Sequence, residues 1–143
     1  MVTGKWELDV SEMKMPKRRV LVVDDEQMVC DSVEMMLSFD GHSVRTVTSG
    51  AEALACLEEG PFDLVLVDYA MPQMKGDELA RHIKQRHPAL PIVMITAHAE
   101  VLASTGVPLT GIEMVISKPF MLDTLREAVI KCCSGAGGGA AAP

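Results

Sequence analysis

Leu64-Val65-Leu66-Val67 is an unbroken apolar run, and the residue that follows it is Asp68. No polar residue alternates through the run, so both faces of the strand it forms must be covered, as in the middle of a parallel sheet with helices on either side. Strands of that kind deliver their C-terminal ends to the crevice where open α/β sheets bind ligands. A carboxylate stranded there costs several kcal/mol, by rough transfer values, unless a cation or hydrogen-bond donors compensate it. The run therefore predicts a covered parallel sheet and something cationic facing Asp68. Pro72 turns the chain sharply after Tyr69-Ala70-Met71.

The rest of the chain supplies the neighbours that such a strand needs. Arg19 to Val23 reads as a first, β-branched-rich strand that ends in Asp24-Asp25. Glu26 to Phe39 places Val29, Val33, Met36 and Leu37 on one helical face, and Asp40-Gly41 stops it. Ser43 to Val47 alternates in polarity, as an edge strand does. Ser49 is an N-cap with Glu52 as its capping-box partner, and Ala53, Leu54 and Leu57 form the buried stripe of the helix that runs to Gly60-Pro61. Asp77 to Arg86 reads as a helix with Leu79 and Ile83 inward, ended before Pro88. Ile92 to Ile95 is a second continuously apolar strand and leads into Thr96. Ala99 to Ala103 allows a turn or two of helix, but Gly106 and Pro108 oppose its continuation by about 1 and 3 kcal/mol. The fourth helix is thus predicted to be short or irregular. Met114 to Ile116 is the last strand, ahead of Ser117-Lys118-Pro119, and Leu122, Leu125, Val129 and Cys132 mark the buried stripe of a closing helix.

A length of 143 residues fits one domain, and 48% hydrophobic residues with only 3% aromatics and 11 Met imply an aliphatic and thioether core. Residues 17–133 hold the predicted fold. Residues 1–16, with Trp6, read as an N-terminal extension and 134–143 as a flexible Gly/Ala tail. No apolar run is long enough for a membrane helix and Met1 to Val10 lacks the layout of a secretion signal, so a cytoplasmic protein without a membrane partner is expected. A net charge of −7 argues against nucleic acid as a direct partner. The four cysteines include no CxxC pair. His42, His82 and His87 fall where helix or turn surfaces are expected and read as structural, whereas His98 lies near the mouth of the expected crevice.

What stands at each strand end matters most. Asp24-Asp25, Asp68, Thr96 and Lys118 should converge on one edge of the sheet. Taken singly, Asp24 reads as an N-cap, Thr96 as a hydroxyl bonded to backbone and Lys118 as a solvated charge. Together, three carboxylates repel one another, and a divalent ion with Lys118 beside it relieves the repulsion. Mg²⁺ suits such a site, being held by one or two carboxylates with waters and a phosphate oxygen.

The set Asp24-Asp25, Asp68, Thr96 and Lys118-Pro119-Phe120 closely resembles the receiver domain of two-component response regulators, over about Lys17 to Cys133. The resemblance implies a flavodoxin-like, doubly wound, five-stranded parallel sheet in the order 2-1-3-4-5. It implies that Asp68 accepts a phosphoryl group from a histidine kinase or histidine phosphotransfer protein, and that the product acts on a downstream protein partner. Asp24, Asp25, Asp68 and the backbone carbonyl of Ala70 would hold Mg²⁺. Thr96 and Lys118 would meet the phosphoryl group, and Lys118-Pro119 would be cis. On this reading the protein is no enzyme beyond its own phosphorylation and dephosphorylation.

Three departures from the family pattern stand out. Val115 takes the place of an aromatic switch residue, Ala70 carries no polar side chain toward the site, and the fourth helix is weak. The signal is therefore expected to leave through residues 97–111, exposing or covering Val101, Leu102, Leu109 and Ile112. With 16 residues before the fold and 10 after, a module without a DNA-binding output is expected, the alternative being the receiver piece of a hybrid histidine kinase. An Asp-nucleophile phosphatase of the haloacid dehalogenase kind needs a second acid where Ala70 stands.

Overall fold

The structure, a computed structural model, describes residues 16–104, 106 and 109–134. Trp6, most of the N-terminal extension, Pro108, the side chain of Val101 and the tail from residue 135 lie outside the described residues. Five strands, β1 (Arg19–Val23), β2 (Ser43–Val47), β3 (Leu64–Asp68), β4 (Ile92–Thr96) and β5 (Met114–Ser117), pair in parallel in the order β2-β1-β3-β4-β5. Between and after them run α1 (Gln27–Phe39), α2 (Gly50–Glu59), α3 (Gly76–Arg86), α4 (Ala99–Ser104) and α5 (Leu122–Val129), and α5 widens into a π-helical turn, Ile130–Ser134. This is the flavodoxin-like order expected above.

Alternation along the strands explains the layers. Val20, Val22, Leu64, Leu66, Val93 and Ile95 pack with Cys30, Val33 and Leu37 of α1 and with Leu125, Ala128 and Val129 of α5. The residues between them, Leu21, Val23, Val65 and Val67, face Ala53, Cys56 and Leu57 of α2 and Leu79, Ala80 and Ile83 of α3. β3 and β4 are buried along their whole length, which is why their sequences show no alternation, whereas β2 at the edge keeps it. The chain runs from β1 outward to β2 and then returns past β1 to β3. The strand order thus reverses between β1 and β3, and a crevice opens beyond their C-terminal ends.

The helix signals act as read, with small shifts. Glu26 is the N-cap of α1 rather than its first residue. At α2 the Glu52 N–H donates to Ser49 Oγ (3.1 Å), and the Glu52 carboxylate accepts from the N–H of Thr48 (3.0 Å), one residue before the cap. α4 has six residues, and Gly106, at φ +77°, turns the chain after it. Leu102 is buried, and Leu109 and Ile112 are half-buried. The π turn brings Cys132 and Cys133 inward together, where a regular helix with the predicted stripe would have buried Cys132 alone.

His42 corrects the sequence reading, which placed it on a surface. Gly41 takes φ +89°, a conformation that favours glycine, and this reversal sends the next side chain under the end of α1. The His42 ring is buried, and its Nδ1 accepts the N–H of Arg18 (3.0 Å). Nearby, Arg126 of α5 donates two hydrogen bonds to Asp40, both 2.8 Å, and so ties α5 to the end of α1. That fork-like pairing has the geometry of the stronger ion pairs.

Burial lowers the pKa of His42 below its ordinary value; the charge of Asp40 opposes this and that of Arg18 adds to it. The folded state therefore favours the neutral ring. This contribution to stability is complete above the unfolded value of about 6.5 and is lost as pH falls through the folded value. We expect His42→Asn, whose side-chain oxygen can still accept the Arg18 N–H, to flatten the stability profile below about pH 6.5. Urea unfolding of both proteins across pH 5 to 8 checks this; parallel profiles would show that His42 does not contribute.

Candidate functional site

The C-terminal edge of the sheet gathers the residues expected there. Asp24 follows the last residue of β1, Asp68 closes β3, Thr96 closes β4 and Lys118 follows the last residue of β5. Asp24, Asp68 and Thr96 are buried, and Asp25 is exposed. Asp24, Asp25 and Asp68 bring one carboxylate oxygen each to within 4.8 Å of one another. Ala70 lies in the exposed turn that leaves β3 at this edge.

Hydrogen bonds position each side chain. The Asp24 N–H donates to the Val47 carbonyl (3.2 Å), which binds the end of β1 to the end of β2. Asp24 Oδ1 accepts the Glu26 N–H at 2.9 Å, which holds the turn that enters α1. Asp24 Oδ2 accepts from Lys118 Nζ at 3.0 Å, and the same ammonium lies 3.2 Å from Asp68 Oδ1. The Lys118 main chain is anchored separately, its N–H donating to the Thr96 carbonyl (2.8 Å), and the peptide bond to Pro119 is cis. Thr96 Oγ1 accepts the His98 N–H at 3.0 Å, which leaves its own proton free to be donated. His98 stands exposed beside the site. Phe120 packs against the α1–α5 core.

Electrostatics follow from burial. Desolvation raises the pKa of Asp68 above its ordinary value, the charge of Asp24 raises it further, and Lys118 pulls against both. Burial alone would lower the pKa of Lys118, but its hydrogen bond to Asp24 and the charges of Asp24 and Asp68 outweigh that, and it is raised. The ammonium is charged at neutral pH and partly neutralises the carboxylates. A second cation fits the donor set. Three hard carboxylate oxygens already lie within a 4.8 Å envelope, and octahedral Mg²⁺ with bonds of roughly 2.0–2.1 Å would need ligand atoms about 3 to 4 Å apart.

Three residues that sequence reasoning missed complete the site. Glu26, directly after the acidic pair, places a carboxylate oxygen 3.7 Å from Lys118 Nζ. Its signal was adjacency to Asp24-Asp25. Cys30 reads as an ordinary core residue, yet its thiol donates to the Asp24 carbonyl at 3.3 Å, and burial pushes its pKa up to about 11. Gly76, the first residue of α3, lies where an added Cβ would meet the Asp68 carbonyl oxygen at 2.6 Å and Tyr69 Cα at 2.8 Å. Only a glycine lets α3 start that close to the residue bearing the central carboxylate.

We expect Gly76→Ala to cost about 1 to 3 kcal/mol, because the atoms it would strike are backbone and cannot swing away. Denaturant unfolding measures this; an unchanged midpoint would show that the turn after β3 yields freely.

Known proteins provide an independent comparison. The family model described as the response regulator receiver domain matches residues 20–130. The DNA-binding transcriptional regulator NtrC of Escherichia coli (strain K12) is 37% identical over 120 residues, which is 84% of this chain and 26% of that protein. The chain thus spans about a quarter of that relative's length. Among solved structures, NtrX from Brucella abortus in complex with ADP superposes with a TM-score of 0.81 at 30% identity, covering 89% of this chain and 29% of that one. The response regulator TrrA from Thermotoga maritima, in complex with Mg(2+)-BeF, superposes with a TM-score of 0.74 at 30% identity, covering 80% of this chain and 98% of that one.

Proposed function

The chain belongs to the response regulator receiver domain family, and on that premise we propose that it is a phosphorylation-controlled switch in which Asp68 accepts a phosphoryl group from a phosphohistidine donor, a histidine kinase or a histidine phosphotransfer protein. The observation that carries this reading is the pairing of a buried Asp68 with Lys118 at 3.2 Å, beside two further carboxylates able to share a cation.

An oxygen of Asp68 attacks the phosphorus, the phosphorus–nitrogen bond of the phosphohistidine breaks, and the imidazole leaves with that electron pair. The product on this chain is an acyl phosphate. Asp24, Asp25, Asp68 and the Ala70 carbonyl would hold Mg²⁺, which when bound supplies divalent charge to balance the phosphoryl oxygens and the carboxylates. Lys118, held 3.0 Å from Asp24 by a charged hydrogen bond and 3.2 Å from Asp68, is within reach of the oxygens of a phosphoryl group carried on Asp68. Thr96 can donate its hydroxyl proton to the same group.

The route out of the site is supported by two bonds. The His98 N–H rests on Thr96 Oγ1, and the Leu102 N–H donates to the His98 carbonyl at 2.9 Å. A Thr96 hydroxyl that turns toward a phosphoryl group releases the first of these and alters the entry to α4. Val115 lies half-buried on β5, where an aromatic ring is absent, so this backbone route is the available one. A small helix of six residues followed by a positive-φ glycine rearranges at low cost.

Incubation with a small phosphodonor such as acetyl phosphate and Mg²⁺ is expected to add one phosphoryl mass to the wild-type chain and none to Asp68→Asn. Intact-protein mass spectrometry reads the result. Undiminished labelling of the variant would move the acceptor elsewhere.

A further inference from the structure

We propose that the Cys30 thiol is a positioning residue for the metal-holding carboxylate of Asp24, acting through the Asp24 main chain. The inference rests on the reading of Asp24 as a Mg²⁺ residue and adds the group that sets its aim. Cys30 lies one turn inside α1, fully buried, and its Sγ donates to the Asp24 carbonyl at 3.3 Å with the Val47 carbonyl 3.8 Å away. The Val47 carbonyl also accepts the Asp24 N–H at 3.2 Å, and the Cys30 N–H donates to the Glu26 carbonyl at 3.2 Å. One side chain therefore joins the end of β1, the end of β2 and the first turn of α1 around the peptide that carries Asp24.

This arrangement adds to the hold that the Asp24 carboxylate has on the turn. Glu26, the N-cap of α1, makes no side-chain capping bond, and the first turn of α1 contains no acidic residue. Asp24 itself caps the turn through Oδ1 while it presents Oδ2 toward Lys118. A rotation of the Asp24 peptide would thus disturb the cap and the carboxylate's bond to Lys118 at once. A thiol is a weak donor, but here it is fully buried, and it points at the main chain of a residue whose placement sets the aim of its carboxylate. Groups that orient metal ligands typically change metal affinity by 10- to 100-fold when removed; a weak donor acting through backbone should give about 3- to 10-fold.

The test compares Mg²⁺ affinity, by isothermal titration calorimetry well below the melting temperature, in the full wild-type chain, Cys30→Ser and Cys30→Val. Valine, one methyl group larger than cysteine, keeps the site filled and removes the donor, whereas serine keeps one. We expect the Kd for Mg²⁺ to rise about 3- to 10-fold in Cys30→Val and to return to within about twofold of wild type in Cys30→Ser. Metal-free melting temperatures, measured alongside, separate packing loss from aim: a packing role alone would lower the melting temperature of either variant without this order in Kd. Wild-type affinity in Cys30→Val, or equal weakening in both variants, would overturn the proposal. Failure of the wild-type chain to bind Mg²⁺ would instead overturn the reading of Asp24 on which it stands.

Discussion

One ammonium group, that of Lys118, lies 3.0 Å from Asp24 and 3.2 Å from Asp68, two buried carboxylates. At about 4 Å, with the effective dielectric of roughly 20 that suits protein sites, each pair of unit charges interacts by about 4 kcal/mol. The two acids repel each other on that scale, and Lys118 attracts both. Asp25 adds a third negative charge from the exposed side. With Glu26 also 3.7 Å from Lys118 Nζ, one ammonium stands among four carboxylates, and the edge is net negative, an imbalance that a divalent ion would relieve. Burial is the largest cause of the raised pKa of Asp68, and the charge of Asp24 is the second.

The sheet makes that crowding possible. Four of the site residues sit at the ends of four adjacent parallel strands, so their spacing is set by strand separation rather than by loop conformation. The reversal of strand order between β1 and β3 leaves the crevice open above the two central acids. Below, layers of aliphatic side chains on both faces keep the strands from shifting, and Gly76 lets α3 begin in contact with the turn after Asp68. α4 is the exception. It is short, and the His98 N–H at its entry rests on the Thr96 hydroxyl.

Much of this was legible in the sequence. The unbroken runs in β3 and β4, the alternation in β2, and the polar residues at the strand ends identified the sheet and its working edge, because period and strand length carry that information directly. Other features were not. The inward turn of His42 depends on Gly41 adopting a positive φ, and the joint burial of Cys132 and Cys133 depends on a π turn that a regular helical period does not describe. Cys30 and Glu26 become part of the site only when α1 docks, because their partners, Asp24 and Lys118, are brought there by β1 and β5. A pattern within one helix cannot reveal such pairs.

The central claim is that Lys118 exchanges partners: it balances Asp24 and Asp68 before phosphorylation and turns to the new group on Asp68 afterwards. A high-resolution crystal structure with Mg²⁺ and beryllofluoride tests this most directly, since that group mimics a phosphoryl on a carboxylate. The account predicts beryllium bonded to an Asp68 oxygen, with Lys118 Nζ on a fluorine and no longer bridging Asp24 and Asp68. A Lys118 still bound to both acids, or beryllofluoride bound away from Asp68, would contradict it.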